Sequence, residues 1–258
     1  MRIIILDSSK KKTSLYGRER ILNILKVHPS DIIAFISSEE HYSKKNSLFQ
    51  RIINKLQKRK SLFIIDFYFK LFSLFSGKKK SWLYSEENSF LDFRNLYDGP
   101  IYNVEKINSK KTHELIKNLD CDLVFHTGGM ILKDEVLSAP RIGVIGYHHG
   151  DIEKYRGPLP CFWELINNEK KVGVTIQLLN KTLDTGPILL KKHFDIDKSE
   201  KLKYLQKKIF WNSSFMASEA ISLIKDGNFH PVNNYKLGKY RSYPNVFQVM
   251  ILAVKGRI

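Results

Sequence analysis

Short apolar, β-branched runs alternate along this chain with longer stretches in which apolar residues recur every three or four positions. RIIIL, from Arg2, is followed by a helical pattern over 14–27 and then by DIIAFISS, from Asp31. The order repeats with IYNVEKI from Ile101, KKTHELIKNLD from Lys110 and CDLVFHTGG from Cys121. A short helical KDEVL leads into GVIGYHH, from Gly143. Strands apolar at successive positions are buried on both faces, and helices between them supply the crossovers that parallel strands need. The pattern predicts an α/β fold built on a doubly wound, mostly parallel sheet. Further on, LPCFWELINNE reads as helix, VGVTIQLL and GPILLKKHFDI as strands, and 199–225 as one long helix.

This divides the chain into an α/β domain over 1–195 and a second part, 196–258, made of the long helix and a small C-terminal appendage. One basic, aromatic segment, 44–83, interrupts the first part and reads as a helical insertion. Its second helix, SLFIIDFYFKLFSLF, is apolar nearly all round, which demands burial against something. Flanked by lysines at 58, 60 and 78–80, it is expected to make an intermolecular contact, either a homodimer or a peripheral contact with an anionic membrane. It carries Asp66 and Lys70 and is too short to span a bilayer.

A net charge of +17 directs attention to anionic partners. The lysines lie in short scattered clusters, however, as on ordinary solvated faces, and nucleic acid is not favoured. Cys121 and Cys161 are far apart and unrelated in spacing to the histidines, which suits free thiols in a reducing, cytoplasmic compartment. MRIIILD is too short for a signal-peptide core and reads as a buried first strand.

The chemistry concentrates at HHGDIEKYRG, from His148. In an open α/β sheet, ligands bind beyond the carboxyl ends of the strands, where His148 falls. Alternation puts Gly146 and His148 on one face and Tyr147 and His149 on the other. A metal site using both histidines would need an unusual bend, and no metal is expected. SSKKKTS, after the first strand, lies where a loop could hold a phosphate but lacks the glycines of a dedicated one.

The stretch GVIGYHHGDIEKYRGPLPCFWELINNEKKVGVTIQLLNKTLDTGPILLKK resembles the core of the folate-dependent formyltransferases, the glycinamide ribonucleotide, methionyl-tRNA and sugar-amine enzymes. Their strand-end Asn-x-His is followed by a loop ending Arg-Gly, a Gly-Val-Thr strand and an Asp-x-Gly turn. Here these are Arg156-Gly157, Gly173-Val174-Thr175 and Asp184-Thr185-Gly186, and counting back from Arg156 places the family histidine on His148. The resemblance implies a Rossmann-like core and 10-formyltetrahydrofolate as formyl donor. It implies His148 as the donor that stabilises charge on the formyl oxygen, and Asp184 as the carboxylate that orients it and takes the amine's proton. It also implies a folate pocket around Gly129, Met130, Ile131 and Leu132, and around Leu179, Asn180 and Leu183. TGGMILKDEVL similarly resembles the loop and helix bordering that pocket. One position departs: Gly146 stands where the family carries asparagine. A substitute donor must then come from a main-chain N–H, an ordered water or a side chain of a neighbouring loop.

The resemblance implies a small-molecule amine as acceptor. The region after Asp195 is short for the further domain of methionyl-tRNA enzymes, and glycinamide ribonucleotide enzymes lack an insertion like 44–83. A nucleotide-linked amino sugar fits best. Two rivals stand beside it. A 10-formyltetrahydrofolate hydrolase would be expected to carry an N-terminal regulatory domain before the strand at Arg2. A folate- or anion-binding protein that has lost turnover would be consistent with Gly146.

Overall fold

The computed structural model describes residues 1–7, 15–38, 97–128 and 130–258. Its central strand, β1 (Ile3–Asp7), is buried at all five positions, as an unbroken apolar run covered on both faces requires. It pairs in parallel with β2 (Ile32–Ser38) on one side and β4 (Leu123–His126) on the other. β3 (Ile101–Val104) continues the sheet beyond β2 and β5 (Gly143–His148) beyond β4, again in parallel. β7 (Lys171–Leu178) and β8 (Ile188–Asp195) are antiparallel, β7 to β5 and β8 to β7. The connection from β7 to β8, residues 179–187, is shorter than a parallel crossover needs, so β8 runs back against β7. The seven-stranded order is β3-β2-β1-β4-β5-β7-β8, the mostly parallel sheet expected.

Alternate residues of each strand enter different cores. Ile3, Ile5, Phe125 and Ile145 pack with Ile21 and Ile24 of α1 (Leu15–Val27) and Leu165 of α4 (Phe162–Ile166). The same core takes in Leu205 and Ile209 of α5 (Leu202–Asn212) and Ile221 of α6 (Met216–Lys225). On the opposite face Ile4, Leu6, Val124 and Val144 pack with Ile116 of α2 (Lys110–Asn118) and Val136 of α3 (Asp134–Leu137). Helices on both faces make the sheet doubly wound.

The single helix expected over 199–225 is in fact two, α5 and α6, broken at Ser213–Ser214–Phe215. The Tyr147 hydroxyl stands in for the lost helical hydrogen bonds. It lies 2.8 Å from the Ser213 carbonyl oxygen and 3.1 Å from that of Ser214, and it accepts from Ala217 N at 2.9 Å. The stretch 228–258 supplies β9 (Lys239–Tyr240), which pairs in parallel with β6 (Tyr155–Arg156). It also supplies α7 (Val246–Val254), whose Val249 and Leu252 enter the larger core. No helix among the described residues is long and apolar enough to cross a membrane. The insertion 44–83, the loop 8–14 and Gly129 lie outside the described residues.

From β1 the strand order runs outward both ways, through β2 and β3 to one edge and through β4 and β5 towards the other. Such a reversal opens a crevice at the carboxyl ends of the strands flanking it. Those ends are tied by Thr127, whose hydroxyl donates to Asp7 Oδ1 at 2.6 Å.

Candidate active site

A cavity of about 440 Å³ opens at these strand ends, between the β4 and β5 termini and the β7–β8 turn. One side is largely apolar, with Met130, Ile131, Leu132, Leu179 and Leu183. The other is aromatic and basic, with Tyr16 and Arg20 from α1, Tyr147 and His149 from the end of β5, and Phe210 from α5. Asn180 and Asp184 also line it. The structure thus gathers Met130, Ile131, Leu132, Leu179, Asn180, Leu183 and Asp184 around one space, although they come from two distant stretches of sequence.

His148 ends β5 and is buried, with Nδ1 at 3.3 Å from Asp184 Oδ1. Asp184 sits in the β7–β8 turn with φ of 54°, a left-handed conformation that aspartate tolerates better than most residues. Its second oxygen accepts from Gly157 N at 2.9 Å. Burial alone would lower the pKa of His148, but the Asp184 carboxylate overrides it and the net shift is upward. Burial would raise Asp184, but His148, the Gly157 N–H and Arg156 together hold it below the usual carboxylate range. Both directions favour an imidazolium–carboxylate pair. The remaining ring N–H, on Nε2, donates to the Tyr155 carbonyl at 2.9 Å. His148 therefore lines a small adjoining crevice with Tyr155 and Glu164, whereas Asp184 faces the large cavity. Glu164, in the first turn of α4, is buried, and this pushes its carboxyl up to about 7 despite the nearby His148 charge.

On the other face of β5, the Tyr147 and His149 rings stack with centroids 5.4 Å apart and planes 6° apart. The alternation read from the sequence holds, but the cavity wraps round the strand end and takes in His149 as well. His149 Nε2 lies 2.8 Å from the Tyr16 hydroxyl and 3.1 Å from Arg20 Nη2. A guanidinium can only donate, so Nε2 is the acceptor and the proton sits on Nδ1. Burial first, and the Arg20 charge second, pull the pKa of His149 well down, so the ring is neutral.

Gly146 stands in a row across the sheet, in register with His126 of β4 and Gln177 of β7. All three line the cavity. A side chain at Gly146 would meet Leu179, whose methyl carbons lie 3.1 Å and 3.2 Å from the Cβ position. Gln177 Oε1 accepts from Gly186 N at 3.0 Å, which fixes the carboxamide and leaves its NH₂ as the group available to the cavity. Sequence reasoning did not find Tyr16, Arg20, His126 or Gln177. Tyr16 and Arg20 share a helix face by their four-residue spacing, a signal too common to single them out.

Residues 32–220 match the family described as Formyl transferase. The chain is 35% identical over 133 residues to methionyl-tRNA formyltransferase from Thermotoga maritima, covering 51% of this chain and 42% of that protein. The corresponding Clostridioides difficile enzyme is 34% identical over 130 residues, covering 50% and 42%. The match thus spans less than half the length of these curated relatives. Among solved structures, an N-formyltransferase from Helicobacter canadensis with folinic acid and dTDP-3-aminofucose has a TM-score of 0.57 at 16% identity, covering 94% of this chain and 71% of that one. Glycinamide ribonucleotide transformylase 1 from Symbiobacterium toebii has a TM-score of 0.59 at 14% identity, covering 93% and 95%. These likenesses establish the shared fold. Because the family match runs from the start of β2 into α6, across the strands that build the cavity, the chain belongs to the formyl transferase family.

Proposed function

We propose that the protein transfers a formyl group from 10-formyltetrahydrofolate to the amine of a small substrate, a nucleotide-linked amino sugar. The observation that carries this reading is the buried His148–Asp184 pair at the edge of a cavity with one apolar side. The donor brings an activated formyl carbon: the amine nitrogen bonds to it, its bond to the folate nitrogen breaks, and the proton the amine gives up ends on that folate nitrogen as tetrahydrofolate leaves. Met130, Ile131, Leu132, Leu179 and Leu183 form a wall suited to a flat pterin, and Asn180 lines the same pocket. Asp184, the member of the pair that reaches the cavity, takes the amine's proton directly or through water. His148 supplies the positive charge. Direct donation to the formyl oxygen requires its Nε2–H to turn away from the Tyr155 carbonyl.

The acceptor assignment is supported by the fold shared with the Helicobacter canadensis enzyme, which holds dTDP-3-aminofucose. Methionyl-tRNA is the competing acceptor, because the curated relatives are methionyl-tRNA formyltransferases. The test is a formyl-transfer assay with 10-formyltetrahydrofolate and a panel of nucleotide-linked amino sugars, glycinamide ribonucleotide and methionyl-tRNA, beside a folate-binding measurement. Transfer to an amino sugar is expected. Release of formate without transfer would replace the reading with a hydrolase, and folate binding without turnover with a binding protein.

A further inference from the structure

Arg20 presents a physical problem that the formyl-transfer reading does not solve. It is only 5% exposed, yet it lines the cavity. Buried arginines ordinarily pair with a carboxylate, but no ion pair joins Arg20 to an acidic side chain among the described residues. Its guanidinium is instead stacked between rings, with its central carbon 3.6 Å from the Tyr16 centroid and 3.9 Å from that of Tyr147. Such stacking stabilises a cation without neutralising it. Its hydrogen bonds are sparse: Nη2 meets His149 at 3.1 Å, Nη1 meets the Thr127 carbonyl at a long 3.4 Å, and Nε has no hydrogen-bond partner among the described residues. A guanidinium stays charged even when buried. The aromatic and basic side of the cavity therefore carries a fixed, oriented cation with no ion-paired carboxylate among the described residues.

We infer that Arg20 is the anion-recognition residue of the cavity and that its ligand is a phosphate oxyanion of the acceptor substrate. This rests on the formyl-transfer reading and narrows its acceptor to amines that carry a phosphate or diphosphate. The division of the cavity assigns the anion to the acceptor rather than to the donor. Met130, Ile131, Leu132 and Leu183 offer a flat ring an apolar surface, while Arg20 lies on the side formed by α1 and α5. Two neighbours prepare Arg20 for this role. Tyr16 and Tyr147 hold the guanidinium plane, and His149, neutral and accepting on Nε2, fixes one edge while retaining a donor on Nδ1. Arginine suits such a site because its planar fork meets two phosphate oxygens at once.

The test measures binding without turnover, using inorganic pyrophosphate and folinic acid as separate probes on the full chain by titration calorimetry. Arg20→Gln is expected to weaken pyrophosphate binding at least tenfold and to leave folinic acid affinity within twofold. Unchanged pyrophosphate binding in a folded variant overturns the inference. So does a tenfold loss confined to folinic acid, which would assign Arg20 to the donor's glutamate tail. Should Arg20→Gln fail to fold, the Nε–H NMR resonance of Arg20 in the unsubstituted protein decides. Under the inference it moves on addition of pyrophosphate; a resonance that stays in place overturns it. Failure of the formyl-transfer reading remains distinguishable, because a chain that formylates no amine can still bind pyrophosphate through Arg20. Conversely, a transferase whose pyrophosphate affinity ignores Arg20 keeps its function and loses only this site.

Discussion

Gly146 and Gln177 lie directly opposite each other where β5 pairs with β7. Opposite residues of an antiparallel pair share a face, so the Gln177 side chain stands beside the space that glycine leaves open. Its oxygen is already engaged by Gly186 N, so what it offers the cavity is a carboxamide NH₂. That is the same donor an asparagine at 146 would supply, reached from the neighbouring strand.

Gln177→Leu is therefore expected to lower formyl transfer about a hundredfold, the usual effect of removing one donor to a developing oxyanion. Folate binding should change little. Gly146→Asn should gain nothing or lose activity, because the new side chain must displace Leu179. A steady-state comparison of the parent and both variants checks this. If Gln177→Leu keeps full activity while Gly146→Asn raises it, Gln177 is no substitute for the missing asparagine.

The His148–Asp184 pair makes a prediction with two independent readouts. His148→Ala and Asp184→Ala should each reduce transfer at least a hundredfold with the fold intact by circular dichroism. Asp184→Asn should also move the His148 titration, followed by imidazole NMR, to lower pH. The reason is that burial depresses His148 and the Asp184 carboxylate is the largest influence opposing it, ahead of the Tyr155 carbonyl and Glu164. A titration unmoved by Asp184→Asn would mean that the 3.3 Å contact carries no charge pairing.

Much of this was legible in the sequence because it depends on local pattern. The five buried positions of β1 follow from an unbroken apolar run, and the strand-end position of His148 follows from the length of GVIGYH. Residues that meet only through the fold were not legible. Arg20 and His149 are separated by 129 positions. The break between α5 and α6 depends on a tyrosine hydroxyl 66 residues away, so periodicity alone read one helix. Gln177 reads as an ordinary strand residue until register sets it against Gly146.

The helix break gives a stability prediction. Tyr147→Phe removes the hydroxyl that lies against two carbonyls and accepts from Ala217 N, at a place water does not easily reach. Leaving buried backbone groups unpaired costs about 1–3 kcal/mol. The variant should unfold at a correspondingly lower urea midpoint, with an unchanged denaturant slope. An unchanged midpoint would mean that the backbone bonds already made there, such as Met216 N to the Ser213 carbonyl at 3.1 Å, suffice without the hydroxyl.

Glu164 yields the clearest pH dependence. Burial raises its carboxyl from 4.5 to about 7 in the folded protein. With the folded value above the unfolded one, its contribution to stability is complete below pH 4.5. It falls as pH rises, because the unfolded chain ionises first, and it is lost above about pH 7. His126 runs the opposite way: burial lowers it to about 4, so its contribution grows as pH climbs towards 6.5. His149, also depressed, acts in the same sense. These two are common to parent and variant and cancel in the difference, which leaves Glu164 together with the His148 charge it faces. Glu164→Gln approximates the protonated side chain at every pH. Urea unfolding at pH 5 and pH 8 should show the variant gaining about 2–3 kcal/mol on the parent between those conditions. A difference that does not change with pH would mean that Glu164 is already ionised in the fold at pH 5, held there by the neighbouring His148 imidazolium.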